Sequence, residues 1–259
     1  MTGTNRIILQ PRDLHLLREL AGMCVLDREL AKIAAGFRST TRANERLLAL
    51  YRAGLLRRFF LGSGGGRKAL YALSAKGALF LGVPVRGPRR PQNAMLVADY
   101  FVGHQLAVNG IHCALKYGPI PIPQVTFHRW LSFFEPVVPG INLIPDGYVE
   151  FITPTGIVAF FLEVDLGHES QKIWKGKVEN YSKLAVTEKY QERFGQDHFR
   201  VLVIANSERR LHSIRKTVAA ATGKIFRFAT LDTVSNGFFA SVWYRPKGNQ
   251  LTTLIEKTT

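Results

Sequence analysis

INLIPDGYVEFITPTGIVAFFLEVD, residues 141–165, is the stretch whose reading decides the fold. Two apolar runs, Ile141 to Ile152 and Gly156 to Leu166, flank Thr153-Pro154-Thr155-Gly156, which has the chemistry of a hairpin turn. A turn centred between Pro154 and Thr155 places Asp146 directly opposite Glu163. Strand residues i and i+2 share a face, so Asp165 joins them on the same side. The spacing therefore predicts carboxylates converging within about 5 Å between opposed Cβ atoms. Like charges that close are costly unless a cation or a proton joins them. This is the construction of a divalent-metal site with Asp146, Glu163 and Asp165 as ligands. The alternative is a solvated edge on which the acids turn outward, set against apolar surroundings in Ile144, Val149, Phe151 and Val158 to Leu162.

Outward from the hairpin, Gly167-His168-Glu169-Ser170 turns the chain into a helix running to about Ala185, with Lys172, Lys175, Lys177 and Tyr181 on it. Phe199 to Ala205 reads as a buried strand. Ser207 caps a helix to about Ala221 whose basic face holds Arg209, Arg210, Arg215 and Lys216. Lys224 to Leu231 and Val242 to Tyr244 are further strands, and strand–helix–strand here suggests a parallel crossover. Before the hairpin, Asn93 to Lys116 is helical and Val125 to Phe134 strand-like. His104 and His112 lie eight residues apart on that helix; a metal pair wants i, i+4, so hydrogen-bonded histidines are the reading. The order gives an α/β (α+β) domain with a mixed sheet over residues 93–259.

The N-terminal part follows another pattern. Pro11 opens a helix with Leu14, Leu17 and Leu20 at near-helical spacing. Asp27 caps a second helix, Arg28 to Ala35, closed by Gly36, with Phe37 plugging the turn. Ser39-Thr40-Thr41 starts a third, to about Arg52, stopped by Gly54. Two strand-like runs, Leu55 to Leu61 and Arg67 to Leu73, join at Ser63-Gly64-Gly65-Gly66. This is the order of a winged helix-turn-helix over residues 1–81, with Gly82 to Gln92 as linker. Ala43, Leu47, Leu50 and Tyr51 form the core stripe of the third helix. Thr40, Thr41 and Arg42, at its N-terminal end, are candidates for base contact. Arg38 and Arg46 are candidates for phosphates, and the wing adds Arg57, Arg58, Arg67 and Lys68.

Charge supports that assignment. The formal net charge is +16, and residues 1–93 hold 17 Lys and Arg against 5 Asp and Glu, while the remainder holds 18 against 14. Such asymmetry points to a polyanion met by the N-terminal part, double-stranded DNA rather than a membrane. A helix face that merely stays solvated is the plainer alternative. Cys24 and Cys113 have no metal or redox spacing and suit buried free thiols of a cytoplasmic protein. No apolar run reads as a leader or a membrane span.

Pro145-Asp146 followed by Glu163-x-Asp165 resembles the PD-(D/E)XK nuclease superfamily, except that Asp165 stands where that pattern has Lys. The whole order resembles, more specifically, the replication-relaxation family of plasmids and mobile elements. That family joins a winged helix to a nuclease-like domain with a PD…LEVD-x-G…K…Y pattern. Here the pattern reads Pro145-Asp146, Leu162-Glu163-Val164-Asp165, Gly167, Glu169, Lys177 and Tyr181, and the likeness covers roughly residues 10 to 232. The resemblance implies a DNA-binding protein of a mobile element, acting in replication or transfer or its control. It also implies Mg²⁺ or Mn²⁺ held by the carboxylates, with Asp146, Glu163 and Lys177 as catalytic residues if the domain is an endonuclease; Lys177 would replace the missing motif lysine. A third reading is a regulatory protein with an inactive nuclease fold that recruits replication or transfer proteins. A palindromic target would imply a homodimer, although no heptad run is visible to supply one.

Overall fold

The computed structural model describes residues 7–62, 68–89 and 100–255 and divides the chain into two compact units, 1–117 and 118–259. The fold is mixed α and β, as expected.

The first unit begins with α1 (Pro11–Met23), opened by Pro11, whose missing N–H costs nothing at a helix start. A short β1 (Leu26–Asp27) leads into α2 (Arg28–Ala34), where the Asp27 carboxylate accepts from the Leu30 N–H at 2.8 Å. Gly36, at φ +62°, turns the chain towards α3 (Thr40–Arg52), capped by the Ser39 hydroxyl, and Gly54, at φ +76°, releases it. β2 (Leu56–Leu61) and β3 (Lys68–Leu73) pair antiparallel, and β1 adds to β3, giving the order β1-β3-β2. Leu16, Leu17, Leu20, Leu30, Leu47, Leu50 and Tyr71 fill the core between helices and sheet. Leu14 is only half-buried; Leu16 takes its place on the buried stripe of α1.

Two helices complete this unit. The first, α4 (Ala75–Leu81), starts at a Ser74 cap that the hairpin reading did not extend to. The second, α5 (Tyr100–Tyr117), was expected in the following domain but packs here, so the division falls after Tyr117 rather than at 82–92. Its Asn109 amide donates to the carbonyls of Met23 and Val25 at 2.9 and 2.7 Å. These flank Cys24, a non-glycine residue at φ +62° in a tight bend. Lys116 pairs with Glu19 at 2.6 Å. His112 is buried beside Glu19, and burial lowers its imidazole to about 4. Residues 90–99, which include the end of the expected linker and the expected start of this helix, lie outside the described residues.

The second unit is built on one sheet, with described order β10-β9-β8-β7-β6-β5-β4. Its elements are β4 (Thr126–Leu131), β5 (Gly147–Thr153), β6 (Gly156–Asp165), α6 (Gln171–Val186), α7 (Lys189–Phe194) and β7 (Arg200–Ala205), then α8 (Glu208–Ala219), β8 (Phe226–Thr230), α9 (Leu231–Gly237), β9 (Trp243–Tyr244) and β10 (Leu251–Thr252). β6, β7 and β8 run parallel and the other pairs antiparallel, so the sheet is mixed. Thr153 pairs with Gly156 across Pro154-Thr155, and Gly147 with Leu162, which is the predicted register. One sheet face carries Tyr148, Phe161, Val203 and Phe228 against Trp174, Val178, Leu211 and Ile214 of α6 and α8. On the other face Phe151 meets Phe239, ring centroids 5.2 Å apart.

Gly147 of the Pro145-Asp146-Gly147 motif has a packing cause. A Cβ there would lie 2.3 Å from the Trp130 ring of β4. Gly147→Ala should therefore cost about 1–3 kcal/mol of stability through overpacking, read as a lowered urea midpoint with an unchanged slope. An unchanged midpoint would mean that Trp130 swings aside freely.

Candidate functional site

Strand β6 delivers Glu163 and Asp165 to the sheet face covered by α6 and α8, because residues two apart on a strand point the same way. Both are buried. Burial of an ionised carboxylate demands compensation, and each acid receives it from its own set of donors. Lys177 Nζ lies 2.7 Å from Glu163 Oε2 and 2.6 Å from Glu169 Oε1. One helical turn later the Tyr181 hydroxyl donates to Glu163 Oε1 at 2.6 Å. Asp165 Oδ1 accepts from the Gly167 N–H at 2.6 Å and from Arg210 Nε at 2.9 Å; its Oδ2 accepts from Trp174 Nε1 at 2.6 Å and pairs with Arg210 Nη2 at 2.5 Å. Asp146 lies one residue before β5, and its Oδ2 accepts from the Val164 N–H at 2.7 Å. It thereby extends the ladder where the strand has not yet begun.

These surroundings push the groups in different directions. Burial raises the Glu163 carboxyl above the ordinary carboxylate range, Lys177 opposes that, and the charge of Asp146 adds to it. Lys177 is held firmly protonated: burial works against its charge, but Glu163, Asp146 and Glu169 outweigh it. Burial, then Glu163, drives the Tyr181 phenol well up, so it stays a donor. For Asp165 burial acts upward, yet Arg210, Trp174 and the Gly167 N–H together hold the carboxyl below its ordinary value.

The expected three-carboxylate cluster thus separates into two ion-pair systems. Asp146 and Glu163 are neighbours with Lys177, while Asp165 turns to Trp174 and Arg210. Among the described residues no group of three His, Cys, Asp or Glu side chains is placed to hold a metal ion. Each oxygen of Glu163 and Asp165 accepts from a protein donor in this arrangement. Lys177 stands at Glu163 as its ion-pair partner.

Two partners escaped the sequence reading. Arg210 was placed on the basic face of its helix; only the adjacency of β7 to β6 brings it to Asp165. Glu150 of β5, fully buried, pairs with Arg129 of β4 at 2.6 Å and accepts from the Tyr148 hydroxyl at 2.6 Å. Its signal was a lone acid inside the apolar run Tyr148 to Ile152.

In the first unit the predicted DNA-binding residues divide. Arg38, Thr41 and Arg42 are exposed at the N-terminal end of α3, and Thr40 is half-buried. Arg46 turns inward instead: its guanidinium pairs with the buried Asp13 and donates to the Ile8 carbonyl at 2.7 Å. Arg57 is likewise structural, donating to the carbonyls of Leu73, Arg86 and Pro88 at 3.1, 3.3 and 3.2 Å, and burial lowers its guanidinium. Arg58 lies over the rings of Tyr51 and Phe60, 4.6 and 5.1 Å from their centroids. Lys68 pairs with Asp27 while remaining half exposed. Arg67 lies outside the described residues.

A family model described as replication-relaxation matches residues 17–197, well over half of the chain. The chain belongs to the replication-relaxation family. No curated protein and no solved structure matches it. The stretch matched to the replication-relaxation family takes in α3, Asp146, Glu163, Lys177 and Tyr181, whereas Arg210 lies beyond it. Among the described residues, no helix is long and apolar enough to cross a membrane.

Proposed function

We propose that this replication-relaxation protein docks on duplex DNA of a plasmid or other mobile element and acts there in replication or transfer, or in their control. The carrying observation is the end of α3: Arg38, Thr41 and Arg42 stand exposed there, while Arg46 and Arg57 are used to hold the unit together. The first unit acts as a winged helix with α3 entering the major groove, Arg42 reading base edges and Arg38 holding phosphate. The second unit, nuclease-like in element order, engages DNA nearby without cutting, its carboxylates neutralised by Lys177 and Arg210 rather than by a metal.

The test is duplex binding across salt concentrations. Affinity should fall steeply as salt rises, and Arg42→Ala should weaken binding by about 5- to 150-fold, the equivalent of roughly 1–3 kcal/mol. Salt-independent binding, or no binding to any duplex, rejects the reading.

A second reading rests on one observation, Lys177 on Glu163 with Asp146 beside it, since an Asp, a Glu and a Lys together are what a PD-(D/E)XK endonuclease uses. Supercoiled plasmid incubated with Mg²⁺ or Mn²⁺ separates the two. Nicking by the wild type that is lost in Asp146→Ala and Glu163→Ala favours the endonuclease; no nicking under any condition retires it.

A further inference from the structure

The sheet of the second unit carries a cavity of about 700 Å³, lined in part by the β5–β6 turn and the segment around β10. Arg200, Arg227 and Arg245 all line it, and no carboxylate and no aromatic ring does, among the described residues. The topology explains how two of them meet. Leu202 pairs with Arg227 in the parallel ladder, and Arg200 lies two residues before Leu202 on the same strand. Both therefore share the sheet face opposite Val201, Val203 and Phe226, which pack in the core with α6 and α8. Glu163 pairs with Val203 and belongs to that other face. The cavity also sits at the far end of β6: from Val158, which lines it, to Glu163 is roughly 16 Å of strand. It is a different place from the carboxylate site.

Three guanidinium groups converging, with no acid beside them among the described residues, is a costly arrangement in isolation. Two of them are nevertheless fixed. Arg200 donates to the Leu254 carbonyl at 2.7 Å; Arg227 donates to the carbonyls of Lys224 and Phe226 at 2.9 and 2.8 Å. Each of these bonds uses Nη1, leaving the Nε and Nη2 side of each fork outside them. Burial, and then Arg200 and Arg245, lower the Arg227 guanidinium to about 10. Planar, pre-oriented forks of this kind match the oxygens of a phosphate better than a flexible ammonium does.

We propose that the Arg200–Arg227–Arg245 cavity binds the oxyanion of a phosphate group. With no ring among the described lining residues to stack a base, recognition stops at the phosphate and is indifferent to sequence. The phosphate could come from a nucleic-acid strand or from a free anion, and the site stands whether or not α3 docks on duplex DNA.

The test uses the full chain in phosphate-free, low-salt buffer, titrated separately with inorganic phosphate and with single-stranded oligothymidylate. Saturable binding of at least one probe is expected, weakened about tenfold or more in Arg200→Gln/Arg245→Gln. Oligothymidylate binding much more tightly than inorganic phosphate supports a strand as the source; comparable binding supports a free anion. Both substituted arginines are exposed, so the fold should survive; should the double variant unfold, Arg245→Gln alone carries the comparison. Wild type that saturates with neither probe, or arginine variants that bind as the wild type does, overturn the proposal. Because Arg42→Ala is the arm that reads duplex docking, failure of one proposal is distinguishable from failure of the other.

Discussion

Replacing Arg210 by methionine should destabilise the second unit by about 3–5 kcal/mol at neutral pH, the usual cost of leaving one member of a buried ion pair alone. Asp165 has a fully buried side chain and Arg210 is mostly covered, so water cannot replace the lost guanidinium. The bond from Arg210 to the Glu169 carbonyl goes as well. The pH dependence has a definite sign. In the wild type the Asp165 carboxyl lies below its ordinary value. Its stabilising contribution is therefore present above the unfolded value of roughly 3.9 and is lost as pH falls through the folded value. The gap between Arg210→Met and wild type should be wide at pH 7 and narrow towards pH 3. Adding Asp165→Asn to Arg210→Met should recover part of the loss, since the buried charge goes with its partner. Urea unfolding of the wild type, Arg210→Met, Asp165→Asn and the double variant measures this. A double variant no better than the single one would show that Arg210 acts by packing rather than charge.

Lys177→Met should be comparably severe, about 3–5 kcal/mol at neutral pH, and its deficit should also widen as pH rises, through a higher window set by Glu163. Glu163 is already raised by burial and by Asp146, and loss of the Lys177 charge raises it further. The folded chain then binds a proton that the unfolded chain has released. Stability falls as pH rises from the ordinary glutamate value of roughly 4.3 through the raised folded value. The deficit should be small near pH 4 and large at pH 8. Glu163→Gln placed in the Lys177→Met background should flatten that dependence. Lys177 also lies over the Trp174 ring, 5.1 Å from its centroid. A deficit equal at all pH values would assign its role to that contact instead.

These two variants probe what the hairpin motif could and could not disclose. Strand register was legible because Pro154-Thr155 leaves one short turn between two apolar runs, and the alternation then assigns every face. Helix starts were legible wherever a capping side chain stands at the boundary, as at Asp27, Ser39 and Ser207. The destination of each acid was not. Glu163 and Asp165 share a face as expected, yet what each one touches depends on Lys177, Arg210 and Trp174, whose approach is set by helices packing across the sheet. The same limit applies to the arginines of the first unit. Spacing places Arg46 among the basic residues of α3; only the fold shows Asp13 waiting beneath it. Short helices such as α4 and α7 have too few turns to display a periodicity.

The bend at Cys24 bears on how this protein can be divided. Its flanking carbonyls find their donor in Asn109, eighty-odd residues downstream, so the N-terminal fold is not a detachable cassette ending at the proline-rich stretch. Any exchange of N-terminal units between such proteins, by recombination or at the bench, has to carry the chain through Tyr117. A swap made at residue 81 would transplant α3 while leaving its keystone behind.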